Sequence, residues 1–162
     1  MVCFVSSKPD PKFQSIADIL MKNHADIKSV ILNINSKNTN VIMGSRCITL
    51  GGSDTITDIM CGNRISLSPL SFYQVNTAQA EKLYGIAAEF AALTGDEDVL
   101  DLYCGAGTIG LSMAGKAKHI TGAEIIPQAV ENAKLNAREN GIENADFICA
   151  DAGQAAKLLC DK

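Results

Sequence analysis

Hydrophobic and polar residues follow two different patterns along this chain, and the pattern changes near residue 66. Up to that point, short stretches rich in β-branched residues dominate, separated by Asn, Gly and Ser-Asp turns. They accompany one amphipathic segment, KFQSIADILMKN, whose apolar residues recur at helical spacing. We therefore predict a small α+β module over residues 1–66, with mainly antiparallel strands.

From residue 76 onward, helical and strand patterns alternate. The first helix is predicted to begin at a cap, Asn76 or Thr77, and to end before Gly95. Its predicted apolar face consists of Ala80, Leu83, Ile86, Ala87 and Phe90. The segments that follow read as strand DVLDLY, helix TIGLSMAGK, strand HITGAEI, helix PQAVENAKLNAREN and strand ADFICA, with a further helix starting at Asp151.

This βαβαβ order predicts an open parallel sheet covered by helices on both faces. Pro127 and Gly141 mark the start and the end of the second crossover helix. Three strands are fewer than a doubly wound domain normally contains. We therefore expect residues 67–162 to be the N-terminal portion of a longer domain with a truncated sheet.

Composition limits the partners of this chain. Of the 162 residues, 47% are hydrophobic, and 14 basic residues against 18 acidic residues give a net charge of -4. This balance predicts no general attraction to nucleic acid, so an RNA partner has to be held locally. The six cysteines form no C-x-x-C pair, which predicts no metal site and free, mostly buried thiols. The absence of a signal segment or a long apolar run predicts a cytoplasmic protein without a membrane partner.

The stretch VLDLYCGAGTIGL carries the clearest candidate chemistry. Gly105, Gly107 and Gly110 form G-x-G-x-x-G between a predicted strand and a predicted helix. Glu124 ends the next predicted strand, where its carboxylate is placed to accept hydrogen bonds from both hydroxyls of a ribose. Both NAD and S-adenosylmethionine fit this description.

Asp101, just before the glycines, favours one of the two ligands. A pyrophosphate is disfavoured beside a carboxylate, whereas S-adenosylmethionine carries a sulfonium and an ammonium and no phosphate. The carboxylate of Asp101 also suits a structural role, accepting hydrogen bonds from amides of the turn. The two roles are compatible.

Several segments in order resemble the RNA (uracil-5-)-methyltransferase family. They are SFYQVN at 71–76, AEKLY at 80–84, VLDLYCGAGTIGL, GAEIIPQAVENAKLNARENGIENADF and Asp151. The resemblance implies a Rossmann-like methyltransferase fold, in which residues 1–66 belong to a central domain. It also implies S-adenosyl-L-methionine as cofactor and C5 of a uridine in RNA, most readily 23S rRNA but also tRNA, as the methylated atom.

The resemblance places cofactor contacts at five residues, three of which also have a structural alternative. Gln74 would meet the methionine end of the cofactor, or tie a loop to the backbone. Tyr103 would offer its ring beside the pocket, or fill the core. Thr108 would open the helix near the cofactor, or cap that helix. Glu124 would hold the ribose, and Asp151 would accept the adenine amino group.

No catalytic residue is expected in this chain. In the resembled family a cysteine thiolate attacks C6 of the uracil, and a carboxylate later removes the C5 proton. Those residues belong to motifs that do not occur up to Lys162, and Cys104 matches none of them. The chain alone is therefore expected to be inactive.

Two other classes of function remain open at this point. One is a fragment of an NAD-dependent oxidoreductase with Glu124 on the ribose. The other is a non-catalytic RNA-docking module formed by residues 1–66. The basic residues of that module are scattered and lack an aromatic platform, which favours a solvated surface. They are Lys8, Lys12, Lys22, Lys28, Lys37 and Arg46.

Overall fold

The computed structural model describes residues 1–160, which form two compact units. One unit contains residues 1–56 and 68–70, and the other contains residues 57–67 together with the chain from 71 onward. The proposed domain boundary between residues 66 and 67 stays a prediction. Each unit is described by itself below.

The first unit is a three-stranded sheet with one helix. Its elements are β1 Val2–Ser6, α1 Lys12–Asn23, β2 Ser29–Ile34 and β3 Arg46–Gly52. The sheet order is β1-β2-β3, with β2 buried in the centre. The pairing of β2 with β3 is antiparallel, but β1 and β2 are parallel, against the expectation of mainly antiparallel strands. The reason is α1, which forms a crossover between β1 and β2.

The predicted stretch NVIMGSRCITL becomes a strand only from Arg46. The residues before it are held instead by the buried side chain of Asn33, which donates from Nδ2 to the carbonyl of Gly44 and accepts from the Gly44 amide, both at 2.7 Å. A side-chain amide thus satisfies backbone groups that a longer strand would have paired.

The second unit begins with a hairpin and a helix, β4 Ile56–Met60, β5 Asn63–Leu67 and α2 Thr77–Ala91. The predicted cap is Asn76, whose side chain accepts from the Gln79 amide. The predicted apolar face is right in part: Ala80 is buried, and Ala87 packs against the core around Ile120. Leu83, Ile86 and Phe90 are exposed instead, and Tyr84, outside the predicted face, is buried. Helical spacing defines a face, but the neighbours decide which face is buried.

The parallel sheet follows the predicted βαβαβ order. Its elements are β6 Asp98–Asp101, α3 Thr108–Met113 with a 3-10 turn at Ala114–Lys116, β7 His119–Glu124, α4 Pro127–Glu139, β8 Ala145–Cys149 and α5 Ala152–Cys160. The sheet order is β6-β7-β8, and both pairings are parallel. Pro127 is the first residue of α4, as predicted.

Helices pack on both faces of this sheet. On one face, Ile120 of β7 packs with Met113, Ala114 and Ala117. On the other face, Ala123 of β7 packs with Ala155 of α5. The carboxyl ends of the three strands therefore form one edge, between two layers of helices, where the glycine turn emerges.

The cysteines differ from expectation. Cys104 is buried, but Cys3 and Cys61 are only half-buried, and Cys47 and Cys149 are exposed. Cys3, Cys47 and Cys149 lie in strands with a solvated side, and Cys61 lies in the turn between β4 and β5. Within the described residues, no helix combines the length and the apolar character needed to cross a bilayer.

Candidate binding site at the glycine turn

The glycines after β6 adopt conformations that side chains rarely allow. Gly105 and Gly107 have φ angles of 54° and 84°. A Cβ on Gly107 would lie 3.1 Å from the ring of Phe147 and 3.2 Å from Cβ of Ala133. A Cβ on Gly110 would lie 2.8 Å from the side chain of Ile120. The glycines therefore permit a left-handed turn and close packing of the following helix on the sheet.

Glu124 lies directly against this turn. Its Oε2 accepts from the amide of Gly105 at 3.1 Å, and its Oε1 accepts from the amide of Ile126 at 2.9 Å. The structure thus brings the predicted ribose acceptor and the predicted turn together. Because backbone amides already satisfy part of the carboxylate, its position at the strand end does not by itself require a ligand. Two carboxylate oxygens still retain lone pairs for hydroxyl donors.

Unlike Glu124, Asp101 has a carboxylate oxygen without a hydrogen-bond partner. Its Oδ2 is inaccessible to solvent and has no hydrogen-bond partner, while Oδ1 accepts from the amide of Tyr103 at 3.4 Å. Burial raises the pKa of Asp101, and the charge of Glu124 raises it further, against the opposing effect of the Tyr103 and Gly110 amides. The Gly110 amide favours the charge without meeting hydrogen-bond geometry. Both predicted roles of Asp101, amide acceptor and anionic group, are therefore compatible with the geometry.

A small cavity adjoins the carboxylate of Glu124. Its volume is about 250 Å³, below the roughly 300–1,000 Å³ of drug-sized sites, so it would hold part of a nucleoside. Tyr103 is 82% exposed and does not fill the core, contrary to its structural alternative. The lining consists of Leu102, Tyr103, Glu124, Ile125, Ala150, Asp151, Ala152 and Gly153. Three predicted site residues, Tyr103, Glu124 and Asp151, thus share one cavity.

Asp151 also has a structural role that the sequence reasoning missed. Its Oδ1 accepts from the amide of Gln154 at 2.9 Å, and its own amide donates to Oε1 of Gln154 at 3.4 Å. This reciprocal pair is a capping box at the start of α5. The spacing D-x-x-Q was a usable signal for it.

Thr108 is not a helix cap, because Gly107 occupies the cap position. The Thr108 hydroxyl lies 3.3 Å from the hydroxyl of Tyr84, a buried residue of α2. This contact ties α2 to the first residue of α3. Tyr84 carried no signal in the sequence that distinguished it from a core residue.

Gln74 is half-buried and makes no hydrogen bond within the described part of the chain. Its segment runs beside the turn, since a Cβ on Gly105 would lie 3.7 Å from the carbonyl oxygen of Phe72. The segment is anchored on Asp58, whose Oδ2 accepts from Tyr73 Oη at 2.9 Å and from Thr77 Oγ1 at 3.1 Å. Gln74 thus belongs to a segment whose Phe72 carbonyl lies beside the turn, and its side-chain amide is not engaged within the described residues.

The thiol of Cys104 has low reactivity near neutral pH. Burial raises the pKa of its thiol to about 12, and the charges of Asp101 and Glu124 act in the same direction. A thiol with this pKa stays protonated near neutral pH and is a poor nucleophile. The electrostatics agree with the prediction that Cys104 is not a catalytic residue.

Comparison with known proteins places this site in context. A family model described as a methyltransferase domain matches residues 93–162. A protein of Clostridium acetobutylicum named as an uncharacterized RNA methyltransferase is 44% identical over all 162 residues. A protein of Staphylococcus aureus with the same description is 45% identical over 153 residues. The chain is therefore similar to proteins named as RNA methyltransferases. The resemblance predicted from the sequence is confirmed.

The chain spans about a third of the length of these relatives, 35% and 34% respectively. A crystal structure of the tRNA (uracil-54, C5)-methyltransferase of Pyrococcus abyssi with S-adenosyl-L-homocysteine matches 92% of this chain and 35% of that one, with 27% identity and a TM-score of 0.68. A tRNA m1G37 methyltransferase of M. jannaschii, at 18% identity and a TM-score of 0.57, shares the fold over 94% of this chain and 47% of its own. The expected Rossmann-like methyltransferase fold is confirmed.

Proposed function

We propose that this chain carries the S-adenosyl-L-methionine site of a longer RNA methyltransferase that methylates C5 of a uridine, with 23S rRNA as its target. The methyltransferase relatives support the class of reaction. The C5 assignment rests on the resembled motifs and on similarity to a tRNA (uracil-54, C5)-methyltransferase. The choice of rRNA over tRNA rests on the resemblance alone.

The observation that carries the cofactor assignment is the buried, unpartnered oxygen of Asp101 beside Glu124. Neither carboxylate forms an ion pair within residues 1–160. A ligand with a sulfonium and an ammonium would balance this charge, whereas the pyrophosphate of NAD would add to it. The residues therefore fit S-adenosylmethionine better than NAD.

The chain's own residues would divide the work of binding. Glu124 would accept hydrogen bonds from the ribose hydroxyls, and Asp101 would balance the positive end of the ligand. Tyr103 and Asp151 would flank the base, while Gln74 would reach the methionine end from its neighbouring segment. The bound cofactor supplies an electrophilic methyl group. Transfer itself would need the thiolate and base expected outside this chain.

Calorimetric titration of the chain tests the cofactor half of the proposal. S-adenosylhomocysteine should bind and NAD should not, and Glu124→Ala should abolish the binding. Asp146→Ala is a matched control, because Asp146 is an exposed carboxylate on β8 that does not line the cavity. Binding of NAD instead, or of neither ligand, would contradict this part of the proposal.

The C5 assignment has its own test. The longer protein containing this chain is incubated with S-adenosylmethionine and RNA that carries tritium at uridine C5. Methylation at C5 displaces that hydrogen and releases its tritium into water. We expect this release when 23S rRNA is the substrate and not when tRNA is the substrate. Methyl incorporation without tritium release would overturn the C5 assignment, and release from tRNA alone would overturn the choice of rRNA.

A further inference from the structure

Three asparagines, two in α4 and one at its C-cap, form a ladder along one side of the helix. Asn132, Asn136 and Asn140 are spaced by four residues, so they lie on one face. The first two side chains are 3% and 0% exposed, and Asn140 is half-buried. Buried amides need partners for both the oxygen and the nitrogen.

Two rungs of this ladder bind strand β5 as a neighbouring strand would. Asn140 accepts from the Arg64 amide at 2.8 Å and donates to the Arg64 carbonyl at 2.7 Å. Asn136 accepts from the Ser66 amide at 2.7 Å and donates to the Ser66 carbonyl at 3.3 Å. Four helical residues rise about 6 Å and two strand residues about 6.6 Å. This match lets successive asparagines reach alternate residues of one strand edge.

The third asparagine of the ladder, Asn132, contacts a residue that follows β5 in the chain. Its Nδ2 donates to the hydroxyl of Ser71 at 2.7 Å. Ser71 opens the segment that contains Gln74. The ladder therefore connects α4 to both the hairpin and the segment beside the glycine turn.

Only Asn136 among the three asparagines also bonds the glycine turn. Its Nδ2 donates to the carbonyl of Ala106 at 3.0 Å. Ala106 lies between the two glycines with positive φ, and the amide of Gly105 is the donor to Glu124. With bonds to Ser66 and Ala106, both hydrogens of the Asn136 amide are used.

We propose that Asn136 is a positioning residue for the cofactor site. By fixing the Ala106 carbonyl, it holds the peptide planes of the turn so that the Gly105 amide and Glu124 stay in register. Asn136 touches no cofactor itself and acts through the turn. This inference rests on the proposed function, since it concerns the affinity of the same site.

Asn140→Ala provides a matched control for Asn136→Ala. Both variants remove an amide that makes two bonds to β5, but only Asn136→Ala frees the turn. We expect the Kd for S-adenosylhomocysteine to rise about tenfold or more in Asn136→Ala and to change less than twofold in Asn140→Ala. Affinities are compared at a temperature where circular dichroism shows each variant fully folded.

Hydrogen exchange of backbone amides distinguishes a positioning role at the glycine turn from a general contribution to stability. Amides of residues 104–111 should exchange faster in Asn136→Ala but not in Asn140→Ala, whereas amides of β5 should respond in both variants. Equal effects of the two variants on affinity and on exchange would overturn the inference. If Asn136→Ala does not fold, Asn136→Ser, paired with Asn140→Ser, takes its place.

The outcome is separable from that of the proposed function. If the unaltered chain does not bind S-adenosylhomocysteine, the proposed function fails. If the unaltered chain binds and Asn136→Ala binds equally well, the proposed function stands and the positioning role of Asn136 is wrong.

Discussion

Two turns in this molecule are held by the same kind of bond. In the β4–β5 hairpin, the amide of Cys61 donates to Oε1 of Glu81 at 2.7 Å. In the glycine turn, the amide of Gly105 donates to Oε2 of Glu124 at 3.1 Å. The φ angles of the two donors are also alike, 51° and 54°. The bond to a glutamate and the φ angle of its donor therefore do not distinguish the two turns.

What distinguishes them is their surroundings. A Cβ on Gly62 in the hairpin turn would meet no atom within 4 Å, whereas one on Gly107 would press on Phe147. Of the two turns, the glycine turn has beside it the unpartnered buried oxygen of Asp101, within the residues that the structure describes. A glutamate bound to a turn is a structural device in both places. The unpartnered oxygen of Asp101 next to one of them is the feature on which the proposed cofactor site rests.

The largest expected difference between the turns is steric. Gly107→Ala should lower the free energy of unfolding by about 3 kcal/mol, because left-handed strain adds to overpacking. Gly62→Ala has a similar φ of 79° but open space, and should cost about 1 kcal/mol. Urea unfolding measures both values. Equal losses would mean that packing around Gly107 does not constrain the turn.

The second largest expected difference concerns how substitution of each glutamate changes the Kd for S-adenosylhomocysteine. Glu124→Gln keeps the shape of the side chain but loses charge-assisted bonds to the ribose, so the Kd for S-adenosylhomocysteine should rise about thirtyfold. Glu81→Gln removes the corresponding charge from the hairpin turn and should leave the Kd within twofold. Titration calorimetry compares the two. A comparable loss in Glu81→Gln would show that the contrast between the turns is mistaken.

The charge of Asp101 should lower the free energy of unfolding but strengthen the binding of S-adenosylhomocysteine. Asp101→Asn should raise the free energy of unfolding at pH 7 by about 1 kcal/mol, since it removes a buried charge next to Glu124, and should weaken binding. Because the pKa of Asp101 is raised in the folded state, the native protein gains relative stability as pH falls toward that pKa. The stability difference between variant and native protein should therefore shrink on acidification. A difference that grows as the pH falls would contradict the raised pKa.

Cys104 should give the smallest effect. Because burial raises its pKa to about 12, the thiol stays almost entirely protonated at pH 8. Iodoacetamide followed by mass spectrometry should label the exposed Cys47 and Cys149 and spare Cys104. Cys104→Ala should bind S-adenosylhomocysteine within twofold of the native chain. Rapid labelling of Cys104 would show an activated thiol instead.

The parallel sheet was predictable because its signals are local. Periodicity gave the βαβαβ order, and Asn76 and Pro127 marked helix starts. The association of the turn with Glu124 was also predictable, since the carboxyl ends of adjacent parallel strands share an edge. The exposed side of α2 was not predictable, because Leu83 and Phe90 have the same spacing as packed residues.

The supporting contacts of the site were beyond the sequence. Asn136 and Ser66 are 70 positions apart, and Tyr84 and Thr108 are 24 apart. An asparagine inside a helix carries no mark of the backbone that it will bind. The orphan oxygen of Asp101 is likewise a property of packing, although the unusual placement of its charge beside a glycine turn was visible.

The asparagine ladder also has a consequence for self-association. An unpaired strand edge offers a row of donors and acceptors to any other chain, which invites aggregation. On β5 the donor and acceptor of Arg64 and of Ser66 are already occupied by Asn140 and Asn136. A helix thus closes a sheet edge with side chains, and no second chain can extend the hairpin there without first displacing α4.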